Sequence, residues 1–132
     1  MIDELIARVS QAAGIDASVA KQAVGQILAF LHKEGPTGPV AEVMAKIPGA
    51  EELATESAGP ATGGGGLMGA FGGLMGGGGG VMGLAGKLTG LGMGMGEMQS
   101  AGKEVFAYAR EKAGEDTVGQ IAGAIPGLSQ FI

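Results

Sequence analysis

Residues 14–49 read GIDASVAKQAVGQILAFLHKEGPTGPVAEVMAKIPG, and residues 92–127 read GMGMGEMQSAGKEVFAYAREKAGEDTVGQIAGAIPG. Superposed without a gap, at an offset of 78, they place Gln26-Ile27-Leu28-Ala29-Phe30 on Glu104-Val105-Phe106-Ala107-Tyr108 and Ile47-Pro48-Gly49 on Ile125-Pro126-Gly127. Val40 and Val43 fall on Val118 and Ile121, Ala23 on Ala101, and Gly14 on Gly92. Strict identity is sparse. The matches gather at apolar positions with helical spacing and at the helix-ending Ile-Pro-Gly, and that distribution predicts duplication of a three-helix unit.

Outward from this core the same grammar holds. Ile2, Leu5, Ile6, Val9 and Ala13 recur at spacings of three and four, the single stripe of an amphipathic helix, with Asp3 and Glu4 at its positive end and Gly14 as its stop. A second helix is expected from about Ala17 to Lys33, capped by Asp16 or Ser18, with Val19, Ala23, Ile27, Phe30 and Leu31 inward and Gly35-Pro36 ending it. A third begins near Pro39, carries Val40, Val43, Met44 and Ile47, and closes at Pro48-Gly49.

Between the matched halves the composition changes. Of 29 Gly, 18 lie in residues 63–96, where Leu67-Met68-Gly69, Leu74-Met75-Gly76, Val81-Met82-Gly83 and Leu88-Thr89-Gly90 recur every seven residues. Gly at a fixed heptad position lets helix backbones approach closely. Each Gly in a helix interior costs roughly 1 kcal/mol relative to Ala, however, which disfavours an isolated helix. The expectation is all-α: an N-terminal three-helix unit at 1–58, a flexible Gly/Met-rich linker at 59–81, and a C-terminal three-helix unit at 82–132 that starts with Val81, Leu84, Ala85, Leu88 and Leu91 at its border. Units of about 50 residues are marginal alone, so the two are expected to pack into one pseudo-symmetric body.

The run Leu91-Gly92-Met93-Gly94-Met95-Gly96-Glu97-Met98-Gln99, the helix carrying Phe106 and Tyr108, and the Ala124-Ile125-Pro126-Gly127 ending resemble the small bacterial VcgC/VcgE-like family. The resemblance implies an all-helical fold with a Gly-rich centre and brings no catalytic or ligand motif. Members of that family often begin with an export signal, which Met-Ile-Asp-Glu does not resemble.

Charge and chemistry narrow the function. The net charge of −5 divides as −4 over residues 1–58, +1 through Lys87 and −2 from Glu97 onward, so no basic patch is available for nucleic acid or anionic lipid. With no Cys there is no disulfide framework or thiolate site, and the expected location is the cytoplasm. Gly64-x-Gly66-x-x-Gly69 matches a dinucleotide fingerprint by composition alone, with no strand before it, and Gly86-Lys87-Leu88-Thr89 misplaces the hydroxyl of a phosphate loop. His32, the single imidazole, reads as a cation near a helix C-terminus; Glu51-Glu52 and Glu115-Asp116 read as helix-start or solvated charge, with Asp116 or Thr117 as a cap.

No catalytic residue and no cofactor is assigned, and an enzyme is not expected. The expectation is a non-catalytic interaction or scaffold protein, with Met68, Phe71, Leu74 and Met75 as partner contacts. One alternative is membrane association or self-assembly through the heptads, since residues 57–86 carry no charge. Another is Cu(I) or Ag(I) held by the soft thioethers of Met93, Met95 and Met98, against which core packing of the same methionines must be weighed.

Overall fold

The computed structural model describes residues 1–57, 80–125 and 127–128. Among the described residues it is all-helical, with seven helices and no strand. They are α1 Ile2–Ala13, α2 Ala17–Glu34, α3 Thr37–Lys46, α4 Ala50–Ser57, α5 Gly80–Gly90, α6 Met95–Ala113 and α7 Glu115–Ala124.

Helix α1 buries Leu5 and Val9, carries Asp3 and Glu4 in its first turn, and stops at Gly14 in the left-handed conformation, φ 69°, as its stripe and stop signal lead one to expect. Helix α2 starts at Ala17, but Asp16 makes no side-chain capping bond. The helix relies on packing instead: Ala20, Ala23, Val24, Ile27, Leu28, Phe30 and Leu31 are all buried. Helix α3 begins at Thr37 rather than near Pro39. Pro39 thus sits within the first turn, where its missing N–H leaves no intrahelical bond unmade.

The N-terminal half contains a fourth helix that the three-helix expectation omitted. Gly49 does not close the half; at φ 91° it turns the chain into α4, which buries Ala50, Leu53 and Ala54 against α2. A stripe of three short apolar positions in eight residues gives little helical signal, which is why the periodicity does not reveal it. At the far end of the chain, the cap before α7 is Gly114 at φ 100°, not Asp116 or Thr117; Glu115 and Asp116 occupy the first turn and Thr117 is buried.

Displaced by 78 positions, α1, α2 and α3 fall on α5, α6 and α7. All three starts coincide, Ile2 with Gly80, Ala17 with Met95 and Thr37 with Glu115, and the ends agree within one residue. The turns agree as well: Gly14 and Gly92 have φ 69° and 89°, and Gly49 and Gly127 have φ 91° and 83°. Each first helix packs on the long helix of the other half, α1 on α6 and α5 on α2, while α2 meets α6 and α3 meets α7. The correspondence is incomplete, because α1 also packs on α2 and α5 has no comparable contact with α6.

Both halves contribute to one hydrophobic core. Leu5, Leu28, Val43 and Ile47 from the first half and Leu88, Val105, Phe106 and Ile121 from the second are all 3% exposed or less. The expected docking of the halves is therefore present, and the burial of these side chains supplies its driving force.

Candidate functional site

The two places where a first helix meets the opposite long helix are built differently. Helix α1, whose Leu5 and Val9 are wholly buried, packs on α6. Arg8 crosses the contact to Glu104, Nε to Oε2 at 3.3 Å, and to Glu111, while its guanidinium lies 5.4 Å from the centre of the Tyr108 ring. Lys112 approaches the same ring at 5.3 Å. The Tyr108 hydroxyl accepts a hydrogen bond from the Met1 ammonium at 2.8 Å and donates to the Met1 carbonyl at 3.1 Å. Burial, aided by the negative field of Glu4, pushes the phenol above its ordinary pKa. The Arg8 pKa is raised, first by its hydrogen bond to Glu111, so the guanidinium remains charged.

At α5 on α2 the described residues leave the equivalent contact open. A groove of about 420 Å³ lies between α2, α4 and α5. Its apolar wall is Ala29, Phe30, Ala54 and Leu84, and Gly83 borders it where no side chain projects. Lys33, Lys87 and His32 are among the residues that line it, and Glu34 is the one acidic residue among the described lining. That volume is within the range of small-ligand clefts.

Gln26 forms part of the floor. Its Nε2 donates to the Ser57 carbonyl at 3.3 Å, and its Oε1 is enclosed with no hydrogen-bond partner among the described residues. An unmatched enclosed amide oxygen is destabilising. Ser57 is held there because α2 offers Gly25 beneath it: a Cβ at position 25 would stand 1.9 Å from Ser57 Oγ and 3.0 Å from Ser57 Cβ.

The methionines considered as soft-metal ligands separate. Met93 and Met98 are 3% and 4% exposed and belong to the core cluster, whereas Met95 is 63% exposed. Met93 follows the left-handed Gly92, and its N–H donates to the Leu88 carbonyl at 3.3 Å, which directs the side chain inward after α5. The partner-contact candidates Met68, Phe71, Leu74 and Met75 lie outside the described residues, as does the Gly64-x-Gly66-x-x-Gly69 run.

His32 is exposed in the last turn of α2, beside Lys33. Glu51 and Glu52 lie in the first turn of α4, as Glu115 and Asp116 do in α7, where negative charge suits the helix dipole. Among the described residues no three His, Asp or Glu side chains converge as a metal site, and no helix is long and apolar enough to cross a membrane.

The groove was missed by the sequence reading, although the signal was present. At the 78-residue offset, Leu5 and Arg8 of α1 correspond to Gly83 and Gly86, so α5 has no side chain at these two positions and buries Leu84 and Leu88 instead.

No family model matches the chain, and no curated protein or solved structure matches it.

Proposed function

We propose that this protein is a non-catalytic interaction module of the bacterial cytoplasm, built from two related helical units, whose helical body presents residues 58–79 to a protein partner. The observation that carries the reading is the anchoring of both flanks on one helix. Helix α4, ending at Ser57, and helix α5, beginning at Gly80, both pack on α2. The Gly25 and Ser57 approach fixes the first flank, and buried Leu84 and Leu88 fix the second. A segment whose two ends are held by a common support loses less conformational freedom on binding than an unanchored one. Its Met68, Phe71, Leu74 and Met75 are the adaptable apolar and aromatic side chains that partner surfaces favour. The register of the two halves supports descent from a duplicated unit.

Site-specific photo-crosslinking in the native host tests this. A photoreactive phenylalanine analogue at position 71 is expected to give a discrete adduct with another protein, and the same probe at the exposed position 52 is not. The adduct should disappear in the triple variant Met68→Ser, Leu74→Ser, Met75→Ser. An adduct only with further copies of the chain favours self-assembly. Co-sedimentation with liposomes that depends on residues 63–80 favours membrane association. Equal labelling from positions 52 and 71 rejects the interaction reading.

A further inference from the structure

The groove between α2, α4 and α5 corresponds to a contact that is filled in the other half of the molecule. On α6, the residues facing α1 include Glu104, Tyr108 and Glu111, and Arg8 bridges both carboxylates over the ring. At the 78-residue offset these three positions are Gln26, Phe30 and Lys33 of α2, and all three line the groove. On the first-helix side, Leu5 and Val9, each 0% exposed, correspond to Gly83 and Lys87 of α5, which also line it. The buried face of α5 has moved one position round, to Leu84 and Leu88.

Two consequences follow from the chemistry. Leu84 and Leu88 are the buried side chains of α5, and beside Leu84 an apolar cleft lies against Phe30, Ala29 and Ala54. The charge pattern is also reversed. In the closed contact an Arg from the first helix meets two Glu on the long helix; in the open one the long helix carries Lys33, and Lys87 is added from α5. Glu34 offsets only one of these ammonium groups. The counterpart of Arg8 is Gly86, which provides no group to answer them, and no described residue lies within 4 Å of where its Cβ would be. The missing complement is an apolar body joined to an anion.

We propose that this groove is a binding site for a small amphipathic carboxylate, with its hydrocarbon body against Phe30, Ala29, Ala54 and Leu84 and its carboxylate between the ammonium groups of Lys33 and Lys87. The lysines act as point charges on flexible stems, so they close on a carboxylate without a preformed fork.

Octanoate is the probe, titrated into the isotope-labelled full-length chain and followed by amide NMR. The expected result is a saturable shift confined to residues around Phe30, Lys33, Ala54, Leu84 and Lys87, with a midpoint below about 1 mM. Octanol, which keeps the chain and lacks the charge, should bind at least about tenfold more weakly, and the double variant Lys33→Gln, Lys87→Gln should lose a similar factor. Gly83→Leu places a bulky side chain at the border of the groove and should abolish the response.

The control Gly119→Glu, on the exposed face of α7 with nothing near its Cβ, should leave octanoate binding intact. Absence of a saturable shift, equal response to octanol and octanoate, or unchanged affinity in the lysine double variant overturns the proposal. So does a cross-peak between Phe30 and Phe71 in the ligand-free chain, which would mean the groove is filled by the chain itself. If Gly83→Leu does not fold, the lysine variant and the octanol comparison still decide.

Discussion

Gly25 and Ser57 lie so close that a single methyl group at position 25 would meet Ser57 Oγ at 1.9 Å, Ser57 Cβ at 3.0 Å and Leu53 Cγ at 3.2 Å. The glycine lets α4 settle onto α2, and α4 in turn makes one wall of the groove. A change here therefore acts on both the fold and the candidate site.

Gly25→Ala is expected to destabilise the protein despite its better helix propensity. The hydroxyl can rotate away, but Ser57 Cβ and Leu53 cannot both yield without moving α4, and overpacking costs about 1–3 kcal/mol against a propensity gain of about 1 kcal/mol. Gly119→Ala has open space around it and is expected to stabilise by about 0.5–1 kcal/mol. Urea unfolding of the two variants side by side checks the opposite signs.

Tyr108 is the one tyrosine, and there is no tryptophan, so its ionisation can be followed by phenolate absorbance without overlap. Burial raises its pKa in the folded protein. Above the ordinary value of about 10, the unfolded chain releases the phenol proton while the folded chain retains it. The native state then binds more protons than the unfolded one, and stability falls as pH rises through that window. Absorbance titration should show a midpoint above that of free tyrosine, moving back to it when the chain is unfolded in urea. A native midpoint at or below the free value would contradict the burial.

The Arg8 bridges to Glu104 and Glu111 are partly exposed, with side-chain exposures of 34%, 30% and 59%. A double-mutant cycle between Arg8→Ala and Glu111→Ala should return a coupling of about 0.2–1 kcal/mol that shrinks in high salt. A larger, salt-insensitive value would mean that the bridge is effectively desolvated.

Because the two halves share one core, cutting the chain between them should not separate them. A protease site inserted within residues 58–79 and cleaved in the folded protein should leave both pieces co-eluting in gel filtration as one species. Dissociation on cleavage would show that the contacts of α1 with α6 and α2 with α5 are too weak to hold without the covalent link.

Met93→Leu and Met98→Leu should each cost less than about 1.5 kcal/mol, as volume-conserving core exchanges do, and Met95→Ser on the surface should be close to neutral. Silver(I) titration of the wild type and the triple Leu variant at positions 93, 95 and 98 provides the chemical check. Uptake lost in the variant at unchanged stability would restore these methionines as ligands, and equal behaviour of the two proteins would leave them as packing residues.

Helix type, order and much of the register were legible in the sequence, because they depend on local spacing. The three-and-four stripe of Ile2, Leu5, Ile6 and Val9 and the offset that carries Ile47-Pro48-Gly49 onto Ile125-Pro126-Gly127 mark helices that form where expected. Helix α4 was not legible: its apolar positions are few and two are alanine, so its stability comes from fitting over Gly25 rather than from its own pattern.

Which helix covers which was also beyond the sequence. Leu5 and Gly83 can be paired by counting residues, but the consequence, a closed contact on α6 and an open cationic groove on α2, exists only once α1 and α5 have each crossed to the opposite half. Periodicity fixes the face that a helix buries, because that face follows from the backbone's own repeat. The surface that receives it is selected by shape and charge brought together from positions distant in the chain, and tertiary packing alone decided that.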